Sequence, residues 1–181
     1  MLGEPPAVKV FGILHLVFAG FGLLGVVWGL YVAVLGNPFL KFSPAGQQEA
    51  QMAMQAKIGP MTTTTGILSL LVTIPMIVAG IQLLKSRKSG LKWSNTYAWS
   101  SLGAKLINLI LAVTIMIPAM QEMTRGLLGT SKAPLAVAGV MAGSMAVGAI
   151  GGVVVACVYP ILALILLNRP ATKAWFASLP K

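Results

Sequence analysis

Aspartate is missing from this 181-residue chain altogether, and acidic side chains number only three, Glu4, Glu49 and Glu122. All three lie outside the long apolar runs, which excludes aspartyl chemistry and carboxylate proton relays within a membrane. Cysteine occurs once, at Cys157, so no intrachain disulfide can form and no Cys-x-x-Cys pair exists for thiol redox work. Histidine also occurs once, at His15. There is no His-Glu-x-x-His and no glycine-rich phosphate loop. Charge as a whole is scarce. Charged residues make up 9% of the chain, against roughly 25% in a soluble domain, too few to cover a water-soluble globule.

What is present is long uncharged sequence, in a composition that is 57% hydrophobic. Runs 10–40, 58–84 and 133–168 carry no formal charge, and neither does 106–121, which reaches span length when 93–104 is added. Crossing a hydrocarbon layer of about 30 Å takes about 20 such residues. The sequence therefore predicts an all-α integral membrane four-helix bundle, one domain over 1–181, with spans at about 7–36, 61–84, 95–120 and 135–167. The first run exceeds the about 7–15 apolar residues of a signal peptide and is expected to remain as a span.

The net charge of +10 would point to nucleic acid in a soluble chain. Here the basic residues sit in short connections, the pattern of a chain oriented in a bilayer. Lys85, Arg87, Lys88 and Lys92 crowd a hairpin at 85–92 and are expected to meet anionic lipid headgroups. With both termini and that hairpin cytoplasmic, Lys9, Lys85, Arg87, Lys88, Lys92, Arg169, Lys173 and Lys181 face inward, against Lys41, Lys57, Arg125 and Lys132 outside. Trp93, Tyr97, Trp99 and Trp175 fall at the inner boundary, where an aromatic belt is expected.

Asn37-Pro38 closes the first span. Ser43-Pro44 then reads as an N-cap followed by proline at the first helical position, opening an outer helix over about 44–57 that leads through Gly59-Pro60 into the second span as a small helical cap. Pro75 is expected to kink that span. The fourth span is too long for a perpendicular crossing and must tilt or protrude. Gly25, Gly29 and Ala33, and likewise Ser144, Gly148, Gly152 and Ala156, recur in steps of four. Each row places small side chains on one helix face and predicts close helix contact, within the bundle or between chains.

Several polar positions admit chemistry beside a structural reading. His15 offers a ligand to haem or chlorophyll, or a hydrogen bond to a neighbouring helix. Lys105 shares a face with Ser101 and Asn108, and could line a polar cavity with Asn108 and Gln82 or snorkel to the headgroups. Thr62–Thr65 bond back to the preceding turn or, in a permeation reading, form a filter. Met52 and Met54 point about 200° apart on a helix, which favours packing over Cu(I) binding. Cys157 reads as a small buried side chain. No glutamate stands in the first span, unlike the small multidrug exporters of similar size.

The stretches PPAVKVFGILHLVFAGFG and VYPILALILLNRPATKAWF, at the first and last spans, resemble four-span bacterial inner-membrane proteins carrying domains of unknown function. That resemblance implies the bacterial inner membrane and supplies no activity or site residue. The reading that follows is a non-enzymatic structural, accessory or assembly subunit of a larger membrane complex or a homo-oligomer. The alternatives are a small transporter or channel around Lys105, Asn108 and Gln82, and a haem or pigment carrier through His15.

Overall fold

The structure, a computed structural model, describes residues 3–42, 45–122 and 135–179. Those residues are helical almost throughout. Helix α1, Pro6–Leu35, starts on a proline, whose missing N–H costs nothing in the first turn. It stops where Gly36 turns to φ +79°, the left-handed residue that commonly ends a helix. Asn37 Oδ1 then accepts a hydrogen bond from the Phe39 N–H at 3.1 Å, starting a 3₁₀ turn at Pro38–Phe42.

Helix α2, Ala45–Leu84, runs for 40 residues. The separate outer helix expected over 44–57 is instead the first part of this helix, and Gly59-Pro60 does not break it. Proline at 60 removes one backbone donor, and three threonine hydroxyls in the next turn bond back toward it. Thr62, Thr63 and Thr64 hydroxyls donate to the carbonyls of Ile58, Gly59 and Pro60 at 2.9–3.1 Å. This back-bonding occupies carbonyls that already belong to the helix ladder. Helical structure also continues through Pro75.

The basic hairpin is tighter than the sequence suggests. Ser86 N–H donates to the Leu83 carbonyl and Arg87 N–H to the Gln82 carbonyl, each at 3.0 Å, with Ser86 at φ +49°. That pair of bonds is a Schellman stop built on serine where glycine is usual. Helix α3 then begins at Ser89 rather than near 95, so Lys92 lies on a helix. It extends over Ser89–Glu122, with one π-helical segment at Ala112–Met116. Helix α4, Leu135–Leu167, ends where expected. A final helix not foreseen from sequence, α5, Pro170–Ser178, again starts on proline.

Four helical stretches, Pro6–Val32, Met52–Leu84, Ser89–Glu122 and Ile150–Leu167, are long and apolar enough to cross a membrane. The chain divides into two compact units: Met1–Val27 with Ile67–Lys105 and Val155–Lys181, and Trp28–Gly66 with Leu106–Val154. In the first unit, Val8, Phe11, Leu83, Ala163, Leu167, Trp175 and Phe176 form one buried cluster, and Ala19, Met76, Tyr97 and Ala98 another. Two belt residues are thereby reassigned. Trp175 and Tyr97 are buried in these clusters, whereas Trp93 and Trp99 stay 38% and 67% exposed. Trp175 and Phe176 follow Thr172 at helical spacing, and all three are buried where α5 folds back on the ends of the long helices.

The close approach of helices falls at glycines outside the predicted rows. A Cβ added at Gly80 of α2 would stand 2.8 Å from Leu16 Cγ and 3.0 Å from the Gly12 carbonyl oxygen of α1; one at Gly12 would stand 2.9 Å from Leu84. A Cβ added at Gly90 would stand 3.1 Å from backbone atoms of Gln82 and Leu83, so glycine lets the first turn of α3 lie against the end of α2. By contrast, a Cβ built at Gly25, Gly29, Gly148 or Gly152 meets nothing within 4 Å, and Ala156 is exposed. At these four glycines there is room for a side chain. The side chains of Ala33 and Ser144 lie outside the described residues.

In the second unit, Lys57 Nζ is hydrogen-bonded and ion-paired to Glu122, and the Thr65 hydroxyl donates to Asn108 Oδ1 at 3.1 Å. Trp28 stacks on Tyr31 with ring centroids 5.6 Å apart.

Candidate functional site

The most concentrated polar chemistry lies in the first unit, around His15, which is 0% exposed. Its ring bridges three long helices. Nδ1 stands 2.7 Å from the Phe11 carbonyl one turn back on α1 and 2.7 Å from the Tyr159 hydroxyl of α4. Nε2 stands 3.2 Å from Ser94 Oγ of α3. A carbonyl oxygen only accepts, so the Phe11 contact requires the proton on Nδ1, shared with the Tyr159 oxygen. In that tautomer Nε2 carries a lone pair and Ser94 donates to it.

Aromatic rings enclose the imidazole. Tyr97 meets it edge-on at 4.9 Å, Tyr159 at 5.6 Å and Phe11 at 6.3 Å. Phe18 in turn stands edge-on to Tyr159 at 4.7 Å. Such pairs add about 0.5–1.5 kcal/mol each beyond burial. Pro160, beside Tyr159, is buried within α4.

One end of this unit is tied by further side-chain bonds. Asn95 and Asn168 bond reciprocally, Asn168 Nδ2 to Asn95 Oδ1 at 2.7 Å and Asn95 Nδ2 to Asn168 Oδ1 at 3.3 Å. The pair locks the start of α3 to the end of α4. Ser86 donates to Glu4 Oε1 at 3.2 Å, and Glu4 also pairs with Lys9 at 3.1 Å. The N-terminal segment and the basic hairpin therefore sit together.

The three residues considered for a shared polar cavity have separate partners. Gln82 Oε1 accepts from Ser89 at 3.1 Å. Lys105 Nζ donates to Ser101 Oγ at 2.7 Å, reaching one turn back toward the start of α3, the direction snorkelling requires. Asn108 receives Thr65. Lys105 is half-buried and Ser101 buried. Lys85, Arg87, Lys88 and Lys92 are all exposed.

His15 was singled out from sequence, but Ser94, Tyr159 and Tyr97 as its neighbours were not. Ser94 and Tyr159 are 79 and 144 residues away in sequence, and nothing local marks them. As a metal ligand His15 would have to use Nε2 and displace Ser94, since Nδ1 is held by the Phe11 carbonyl. Among the described residues no group of three or more His, Cys, Asp or Glu gathers as a metal site. Compared with known proteins, the chain matches no family model, no curated protein and no solved structure.

Proposed function

We propose that this chain is a non-enzymatic multi-pass membrane protein, a structural, accessory or assembly subunit of a larger complex or of a homo-oligomer. It sits in the bacterial inner membrane with both termini cytoplasmic. The observation that carries the reading is how its polar groups are used. His15, Ser94, Tyr159, Asn95 and Asn168 are spent on bonds between helices, and no buried side-chain nitrogen or oxygen among the described residues lacks a partner. The residues of the transport alternative are bonded likewise, Gln82 to Ser89 and Lys105 to Ser101 in the first unit, and Asn108 to Thr65 in the second.

The open small-residue face of α4 supports an assembly role. Gly148 and Gly152 present backbone with nothing against it, and in lipid such faces let a second helix approach closely. The test is the mass of the purified protein in mild detergent by light scattering, beside Gly148→Leu/Gly152→Leu. A mass above the monomer that falls in the double variant, with unchanged melting, supports the proposal. A monodisperse wild-type monomer with no bound subunit refutes it.

A further inference from the structure

Beside the hairpin, along the first turns of α3, lies a groove of about 760 Å³ whose lining includes Lys88, Leu91, Lys92, Thr96, Trp99 and Ser100. The groove is lined by no acidic residue, and the ion pairs among the described residues involve Lys9 and Lys57, not these two lysines. The hydroxyls are already committed as donors, Thr96 to the Lys92 carbonyl at 3.1 Å and Ser100 to the Tyr97 carbonyl at 3.0 Å. The ammonium groups of Lys88 and Lys92 are therefore its principal free donors, and they favour an anion. Trp99 is 67% exposed, an amphipathic ring of the kind that settles at headgroup level. Leu91 in the lining adds apolar surface beside the lysines, which suits the glycerol and first methylenes of an acyl chain.

We infer that this groove is a binding site for the phosphodiester headgroup of an anionic glycerophospholipid, held by Lys88 and Lys92 against Trp99. The inference rests on the membrane reading and goes beyond it: a general attraction of basic loops to anionic lipid would use Lys85 and Arg87 equally, and neither lines the groove. Charge complementarity selects the anion, and Leu91 with the exposed Trp99 ring selects a lipid over free phosphate.

Native mass spectrometry of the full chain in mild detergent tests it, with phosphatidylglycerol, phosphatidylcholine and inorganic phosphate as probes. The first phosphatidylglycerol should bind more tightly than phosphatidylcholine. Lys88→Gln/Lys92→Gln should weaken it by about 30-fold, while Lys85→Gln/Arg87→Gln, removing the same charge, changes it less than about threefold. Dibrominated phosphatidylglycerol should quench wild-type fluorescence more than that of Trp99→Phe, a readout that needs no charge change. Equal losses in the two double variants, no preference over phosphatidylcholine, displacement by millimolar phosphate, or no difference in quenching would each overturn the site. Alkaline carbonate extraction separates the two readings. A chain that stays in the membrane pellet without lipid preference defeats only the site; release into the supernatant defeats the membrane reading itself.

Discussion

Ser94→Ala and Tyr159→Phe remove one hydroxyl each from the two sides of His15, and the tautomer argued above assigns them unequal costs. Among the described residues, Ser94 supplies the donor to Nε2, 3.2 Å away. Deleting it leaves a buried acceptor without a partner, in a residue that no solvent reaches. Such orphaning costs about 1–3 kcal/mol in water-soluble proteins, while cross-helix bonds in membranes average about 0.6 and reach about 1.7; we take about 1 kcal/mol. Tyr159 only shares a proton already given to the Phe11 carbonyl, and phenylalanine keeps its ring against His15, Phe18 and Tyr97. Its loss is worth below about 0.5 kcal/mol. His15→Ala removes all three bonds and the ring at the centre of the aromatic group, about 3 kcal/mol in all. For a chain of this size each kcal/mol moves Tm by about 2–4 °C. The expected order in detergent melting is therefore His15→Ala lowest, Ser94→Ala down by about 2–4 °C, and Tyr159→Phe within about 2 °C of wild type. Adding Ser94→Ala to His15→Ala should cost little more, because the partner is already gone. A larger drop for Tyr159→Phe than for Ser94→Ala would put the proton on Nε2 and refute the assignment. Wild-type melting in His15→Ala would refute the structural role altogether.

Gly80→Ala should destabilise by about 1–3 kcal/mol, since its new methyl meets Leu16 and the Gly12 carbonyl in a packed crossing; a melting temperature equal to wild type would show that α1 and α2 do not cross there. Lys105→Met keeps the stem and loses only the bond to Ser101, so melting should fall by less than about 4 °C, a cost of about 1 kcal/mol. Loss of a measurable solute flux in that variant would favour the transporter reading. Cysteine introduced at position 88 should resist impermeant reagents in intact cells while cysteine at position 43 reacts, and labelling of 88 from outside would reverse the proposed orientation.

Much of the architecture was written in sequence terms that survive translation into structure. Uncharged runs mark the long helices because a helix in lipid must satisfy its own backbone and expose apolar side chains. Asn37-Pro38 is a stop signal whose geometry is local, with Gly36 at φ +79° just before it. The continuity of α2 was less legible. Gly59-Pro60 reads as a break, and only the structure shows the helix passing through it, with Thr62–Thr64 bonding back immediately after. The contacts between helices were less legible still. Rows of small residues in steps of four suggested tight packing at Gly25, Gly29, Gly148 and Gly152, yet the crossing uses the isolated Gly12 and Gly80. A single glycine in an apolar run carries no periodic signature, because what matters is the backbone it faces. Trp175 shows the same limit. Its position after the last long helix suits an interface belt, but α5 turns it into the cluster with Val8, Phe11 and Leu167.

Lipid is as apolar as the residues it bathes, so burying leucine between helices supplies little preference for one arrangement over another. Specificity must come from close packing and from polar groups that have nowhere else to go. In the first unit those groups are numerous and long-range: His15 reaches α3 and α4, Asn95 reaches Asn168, and Ser86 reaches Glu4. In the second unit the described side-chain bonds between long helices are Thr65 to Asn108 and Lys57 to Glu122. The second unit also carries Gly148, Gly151 and Gly152, with open space above each. Bare backbone of that kind lets a second helix approach closely in lipid, and it is what supports proposing the assembly surface on the glycine-bearing face of α4.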